Sequence, residues 1–299
     1  MSPRLALVVL LLVLAGCAPL KRSAVAAGVA ALRAEAGLDL QESTVDGRTV
    51  AYLERPGDGP ALVLLHGFGA SKDAWISLAD ALPPGRRLLA PDLSGHGDSP
   101  AAAGPYTTER YAAEVAAWLD AVAPGPVDVA GNSMGGAVAA RLALAGRVRR
   151  LILMDPAGIT GPEPSGLDSL LARGEVGLIP TTRAEYDRFV ELAFSRDPDI
   201  PGPARDVLAA DNAAREPFLR ALFRNLGAEA DALRARLGEI AAPTLVIWGG
   251  EDRVLSPSAA PIWAEGLPDA RLHVLPGVGH APMMEVPDET AGLVDDFLR

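Results

Sequence analysis

The chain has 299 residues, of which 49% are hydrophobic and 22% charged, with a formal net charge of −11. This is an ordinary globular composition, long enough for one large α/β domain. The acidic balance excludes a nucleic-acid backbone binder and electrostatic docking on anionic lipid, and a single cysteine, Cys17, excludes an intrachain disulfide or a Cys-based metal cluster.

The N-terminus comes first in chain order. Met1 to Arg4 is positively charged, and Leu5 to Ala15 is an unbroken apolar run. That run is well short of the ~20 residues a bilayer span needs and fits the apolar region of a secretory signal peptide. Leu14-Ala15-Gly16-Cys17 follows. It resembles the lipobox of bacterial lipoproteins, which implies removal of residues 1–16 and a lipid on Cys17. The expected mature protein is an exported lipoprotein anchored to a membrane of the bacterial envelope. Ala18-Pro19 differs from the aspartate-type signal for inner-membrane retention. Residues 17–38 read as a tether and a short Ala-rich helix, and 39–299 as the folded domain.

Asp46-Gly47 sits between two β-like runs and predicts a tight hairpin. Ala61–Leu65 is a continuous apolar run, as expected of a strand buried on both faces of a parallel sheet. Similar runs recur at Arg87–Ala90, Val127–Ala130, Leu151–Met154, Thr244–Trp248 and Leu272–Leu275. Helical patterns lie between them at Ser71–Leu82, Thr107–Val122, Met134–Ala145 and Pro257–Leu267, and after them at Pro287–Leu298. This alternation predicts a mostly parallel, doubly wound α/β sheet. From Thr160 to Glu239 no strand pattern appears, and Thr182-Arg183-Ala184-Glu185 is a capping box opening a helix. The stretch reads as a helical cap inserted between strands 6 and 7.

Four loops carry chemistry. Gly131-Asn132-Ser133-Met134-Gly135 matches G-x-S-x-G, between a strand pattern and a helix pattern. His66-Gly67-Phe68-Gly69 follows the first sheet strand, and its Phe68 N–H, with that of Met134, would form an oxyanion hole. Gly250-Glu251-Asp252 and Gly277-Val278-Gly279-His280 each follow a later strand. A serine hydroxyl needs a base, and the base needs an acid to fix its tautomer. Ser133, Asp252 and His280 occur in that order, which differs from the chymotrypsin and subtilisin orders. Asp155, directly after Leu151–Met154, is an alternative acid position. His66, Asp92 and His96 read as structural, and His273 as a strand residue at the surface or in packing.

From about residue 40 to the end the chain resembles the α/β-hydrolase superfamily. His66-Gly-Phe-Gly-Ala-Ser-Lys-Asp-Ala-Trp75, Pro91-Asp-Leu-Ser-Gly-His-Gly-Asp-Ser99 and Gly131-Asn-Ser-Met-Gly-Gly136 look like the bacterial lipase and esterase group that includes monoacylglycerol-lipase-like enzymes. The resemblance implies a serine hydrolase of carboxylic esters with apolar acyl chains, acting through Ser133, Asp252 and His280 and an acyl-enzyme. It implies no metal and no organic cofactor. The elbow is also similar to that of hydrolases that cleave carbon–carbon bonds in ring-fission products. That alternative acts on cytoplasmic substrates, so an export signal argues against it. A second alternative, a ligand-binding lipoprotein without catalysis, sits poorly with a complete set of motifs.

Overall fold

The computed structural model describes residues 18–299. Met1–Cys17, and with them the expected signal peptide and the lipidation of Cys17, lie outside the described residues.

The hairpin forms where expected. β1 (Asp39–Val45) and β2 (Arg48–Arg55) pair antiparallel with Val45 opposite Arg48. Asp46 and Gly47 both adopt positive φ, 50° and 73°, as a two-residue turn of matching twist requires. Six more strands follow: β3 (Asp58–Leu65), β4 (Arg86–Pro91), β5 (Val127–Asn132), β6 (Val148–Met154), β7 (Thr244–Gly249) and β8 (Ala270–Leu275). Together they form an eight-stranded sheet in the order β1-β2-β4-β3-β5-β6-β7-β8, parallel from β4 to β8.

The strand sequences explain why this sheet is covered on both faces. Val63 and Leu65 point into one core cluster, and Leu62 and Leu64 into the other. Val246 and Trp248 against Leu245 and Ile247 repeat the alternation on β7. A period of two with every position apolar needs helices on both sides. One face takes α3 (Thr108–Val122) and α4 (Met134–Leu144). The other takes α2 (Ile76–Ala81) and, at the chain end, a helix over Pro287–Leu298. Ser71–Leu82 is not one helix: Lys72–Trp75 is a 3₁₀ turn capped by Ser71, and α2 begins at Ile76.

The cap lies between β6 and β7. It contains α5 (Gly166–Ala172), α6 (Arg183–Ala193), α7 (Gly202–Ala214) and α8 (Glu216–Ala228). Thr182 and Glu185 form the anticipated capping box at the start of α6. After β7 come α9 (Ala260–Gly266), a short α10 (Pro282–Glu285) and α11 (Pro287–Leu298).

The N-terminal segment, read as a tether and a short Ala-rich helix, is helical over most of its length. α1 runs unbroken over Ala18–Glu35, buries no side chain, and meets the domain through charge. Lys21 and Arg22 pair with Asp206 and Asp211 on α7 at 3.2 and 2.6 Å. Arg33 makes two bonds of 2.7 Å to Asp73. Each exposed pair contributes little. The firmer attachment is Ala36 and Leu38, both buried just past the helix. Among the described residues no helix is long and apolar enough to cross a membrane.

A buried cation ties two loops together at the active end of the sheet. Lys72 is 1% exposed, and its ammonium donates to Asp92 at 2.6 Å and to Asp98 at 2.7 Å. Asp92 also accepts from the backbone N–H of Lys72 and of Asp98. Burial alone would depress the ammonium pKa, and the two carboxylates more than reverse it, leaving it above the ordinary lysine value. Removing one partner of such a pair strands the other charge. Lys72→Ala should therefore cost about 3–5 kcal/mol in chemical denaturation. Lys72→Met, which refills the volume, should lose less than Lys72→Ala; equal losses would show that the lost charge pairing, not packing, sets the whole effect.

Candidate active site

The strand order puts the site where it is. β3 is flanked by β4 on one side and β5 on the other, so the chain reverses its winding direction between β3 and β5. Loops leaving the carboxyl ends of two such strands diverge and leave a crevice. The loop after β3 begins at His66, and the loop after β5 holds Ser133.

Ser133 occupies the sharp turn from β5 into α4, with φ 54° and ψ −120°. For a residue with a Cβ this is a strained conformation. The turn can close only because two positions lack side chains. A Cβ on Gly131 would lie 2.2 Å from the Gly135 carbonyl oxygen, and one on Gly135 would lie 2.0 Å from that of Leu65. The serine N–H donates to Met154 O on β6 at 3.0 Å, and its carbonyl accepts from Gly136 and Ala157. Met134 is the first residue of α4, so its N–H has no intrahelical acceptor.

The loop after β3 is held by two neutral imidazoles. His66 is fully buried; its Nε2 accepts from Leu93 N–H at 3.0 Å and its Nδ1 donates to Gly67 O at 2.9 Å. His96, also fully buried, accepts from Gly69 N–H at 3.3 Å. Burial pushes both imidazoles below the ordinary histidine range, which keeps a lone pair available for these bonds. Neither Phe68 N–H nor Met134 N–H has an acceptor among the described residues. Phe68 is half-buried, and its ring meets Phe223 of α8 edge-on at 5.8 Å.

Asp252 and His280 come together as expected. His280 Nδ1 donates to Asp252 Oδ2 at 2.7 Å. Asp252 Oδ1 accepts from the N–H groups of Val254 and Leu255 at 2.7 and 3.0 Å. The carboxylate thus fixes the imidazole tautomer and leaves Nε2 as the basic nitrogen. Asp155 is fully buried with φ 46°, and accepts from Gly249 N–H at 2.8 Å. It makes no hydrogen bond to His280, so the imidazole is held by Asp252. One oxygen or nitrogen from each of Asp155, Asp252 and His280 lies within 4.8 Å of the others. Both Asp252 oxygens are already engaged by protein donors, so the cluster is arranged around protons. Ser133 Oγ makes no hydrogen bond to His280; the two loops are joined by the Asn132 side chain, whose Nδ2 donates to His280 O at 2.9 Å. His273 is exposed on β8, at the sheet edge.

Three supporting residues escape a reading of motifs. Asn132, beside the nucleophile position, donates to Met154 O at 3.2 Å and to His280 O at 2.9 Å. Arg215, between α7 and α8, donates to Gly69 O at 2.6 Å and so ties the cap to the loop after β3. Glu285 on α10 accepts from Gly279, Ser195 and Arg196 N–H at 2.8, 3.0 and 3.2 Å, which ties the cap to the loop of His280. His280 N–H also donates to Ala193 O at the end of α6. Only Asn132 carries a sequence signal, as the variable position of the serine motif. Its partner in the His280 loop is 148 residues away.

A model described as "Alpha/beta hydrolase family" matches residues 62–293. A monoacylglycerol lipase of Xenopus laevis is 31% identical over 278 residues, covering 88% of this chain and 82% of its own. A pimeloyl-[acyl-carrier protein] methyl ester esterase of Aromatoleum aromaticum is 36% identical over 259 residues, covering 80% of this chain and 98% of its own. A crystal structure of a bacterial membrane phospholipase A, described as a virulence factor, superposes with a TM-score of 0.90 at 34% identity, covering 98% of this chain and 96% of that one.

The elbow geometry predicts a contrast between two glycines. Gly135→Ala forces a Cβ onto backbone and should lower the melting temperature sharply. Gly292 in α11 has open space around it, and Gly292→Ala should raise stability by about 0.5–1 kcal/mol. Thermal unfolding of both variants measures this; a mild Gly135→Ala would refute the close approach.

Proposed function

The chain belongs to the alpha/beta hydrolase family and hydrolyses carboxylic esters, and we propose that it does so through an acyl-enzyme on Ser133, with substrates bearing one apolar acyl chain. The observation that carries this reading is the 2.7 Å bond from His280 Nδ1 to a buried Asp252, at the same end of the sheet as the strained Ser133.

His280 Nε2 takes the Ser133 proton as Oγ attacks the ester carbonyl. The carbonyl oxygen gains negative charge and is held by the N–H groups of Phe68 and Met134, at the N-terminus of α4. His280 then gives its proton to the leaving alcohol. Water enters and attacks the acyl carbon as His280 takes its proton; His280 then returns that proton to Ser133 Oγ as the Oγ–acyl bond breaks and the carboxylic acid leaves. Asp252 stays ionised throughout and stabilises the imidazolium.

The substrate class is supported by what surrounds Phe68. Half-buried Phe68, Ala157, Phe218 and Leu226 pack against the same apolar cluster as Met134. Phe218 and Leu226 come from the cap, so an acyl chain beside Ser133 would be covered by α8. A lipid on Cys17 would keep the enzyme at an envelope membrane, where monoacyl lipids are at hand. The lipase and phospholipase names of the similar proteins accord with that setting.

Ser133→Ala and His280→Ala should each lower kcat by about 10⁶, and Asp252→Asn by about 10⁴. Fluorophosphonate labelling should vanish in Ser133→Ala. A silent Asp252→Asn would overturn the acid assignment. Intact mass of membrane-extracted protein should show an acylated N-terminal Cys17; a chain starting at Met1 would refute the anchor.

The chain-length dependence follows from burial. Each methylene removed from water contributes about 0.8 kcal/mol, a several-fold gain in kcat/KM until the pocket is full. On p-nitrophenyl esters kcat/KM should rise from acetate to a maximum at medium length. Monoacylglycerols should be cleaved well and triacylglycerols poorly. A steady fall from acetate upward would mean a small pocket. Cleavage of a ring-fission dienoate without ester turnover would replace this reading by carbon–carbon hydrolysis.

A further inference from the structure

The ester chemistry leaves one buried acid unused. Asp155 is fully buried at the end of β6, directly beside the acid that holds His280. Its Oδ1 accepts from Gly249 N–H. Its Oδ2 is buried with no donor partner. What faces it is Asp252, with a carboxylate oxygen of each lying within 4.8 Å of the other. Two carboxylates are both acceptors. They bond to each other only if one of them carries a proton. Burying both as anions would set like charges together in a site that water does not screen. Asp252 already receives N–H bonds from Val254, Leu255 and His280 and has no oxygen left wanting a proton. Asp155 has one such oxygen.

We propose that Asp155 and Asp252 hold a single proton between them, carried on Asp155 Oδ2 and donated to the Asp252 carboxylate, and that Asp155 is thereby a positioning residue for the Asp252–His280 pair. The inference rests on Asp252 being the partner of His280. It assigns Asp155 neither a nucleophilic nor an acid–base step. The donated hydrogen bond fixes the carboxylate plane and draws electron density from it. Asp252 then orients the imidazole without binding its proton so tightly that Nε2 is slow to release one. The charged groups facing Asp155 are Asp252 from the loop after β7, His280 from the loop after β8 and, farther off, Glu285 from α10. Burial first, and then the Asp252 charge, push the Asp155 carboxyl well above the ordinary carboxylate range, in the direction the geometry demands.

The folded protein therefore binds a proton that the unfolded chain releases above the ordinary aspartate pKa. Stability must fall as pH rises through that range, and Asp155→Asn removes the dependence. Asparagine keeps both bonds, its amide oxygen accepting from Gly249 and its amide N–H donating to Asp252, and it tolerates the left-handed φ of 46°. Thermal unfolding of the full-length protein in detergent, wild type against Asp155→Asn, should show a stabilisation that is negligible below the carboxylate range and grows toward neutral pH. Infrared spectra at neutral pH should show a carboxylic acid carbonyl band that Asp155→Asn abolishes. Asp155→Ala should lose about tenfold in kcat/KM, the loss of one hydrogen bond to a charged group, with its acid limb moved to higher pH. Asp155→Asn should restore both. Backbone strain in the alanine variant would lower its melting temperature but not move the limb. A stability difference independent of pH, or the absence of the band, overturns the proposal. A loss in Asp155→Asn as deep as in Asp252→Asn overturns it too, by making Asp155 a second ionised acid. Failure of the triad would appear separately, as full activity in Asp252→Asn, because the unfolding and infrared measurements need no turnover.

Discussion

The contact on which the site depends is the approach of α4 to the end of β3. Gly135 sits so close to Leu65 O that no side chain could intervene. That contact brings the N-terminus of α4 against the loop that begins at His66. It places Met134 N–H and Phe68 N–H on adjacent elements and forces Ser133 into its positive φ. The strain is sustained because the turn is held from several directions, by Met154 O, Gly136 N–H and Ala157 N–H. The strand order supplies the crevice, and the two glycines allow Ser133 to stand in it.

Around this turn the charges are buried, and nearly all are compensated individually. Lys72 is met by Asp92 and Asp98, and Asp252 by two amides and an imidazole. His66 and His96 avoid the cost of burial by staying neutral. Against that background Asp155 is conspicuous, because one of its oxygens has no donor. A site built of hydrogen bonds of fixed direction is already polarised toward the charge that an attacking serine would create. It needs little reorganisation when that charge appears.

Much of this was legible in the sequence. The buried strands read as continuous apolar runs because both sheet faces are covered. The hairpin read from Asp46-Gly47, because few residue pairs accept two positive φ values in succession. Ser133, Asp252 and His280 read from their order and from their places after strands. What stayed hidden is of another kind. Lys72 looks like a surface residue until the loop that buries it is folded. Arg215 reaches Gly69 from 146 residues away, and nothing local marks it. Glu285 lies in a short helix, α10, that the hydrophobic pattern does not reveal. The segment from Ala18 read as a tether with only a short Ala-rich helix. It is helical throughout, its alanines favouring helix and its Lys21, Arg22 and Arg33 finding aspartates on the domain.

These hidden contacts bear on how the cap works. A free lid would touch the catalytic loops only by apolar packing. This cap is hydrogen-bonded to both of them, through Arg215 to the loop of Phe68 and through Ala193 O and the Glu285 amide bonds to the loop of His280. The loops of Phe68 and His280 are therefore positioned partly by the cap. Any displacement of α6–α8 would strain the hydrogen bonds that hold these two loops. On this architecture movement of the cap and the positions of Phe68 and His280 are coupled, since the cap is fastened at two points to the end of the sheet.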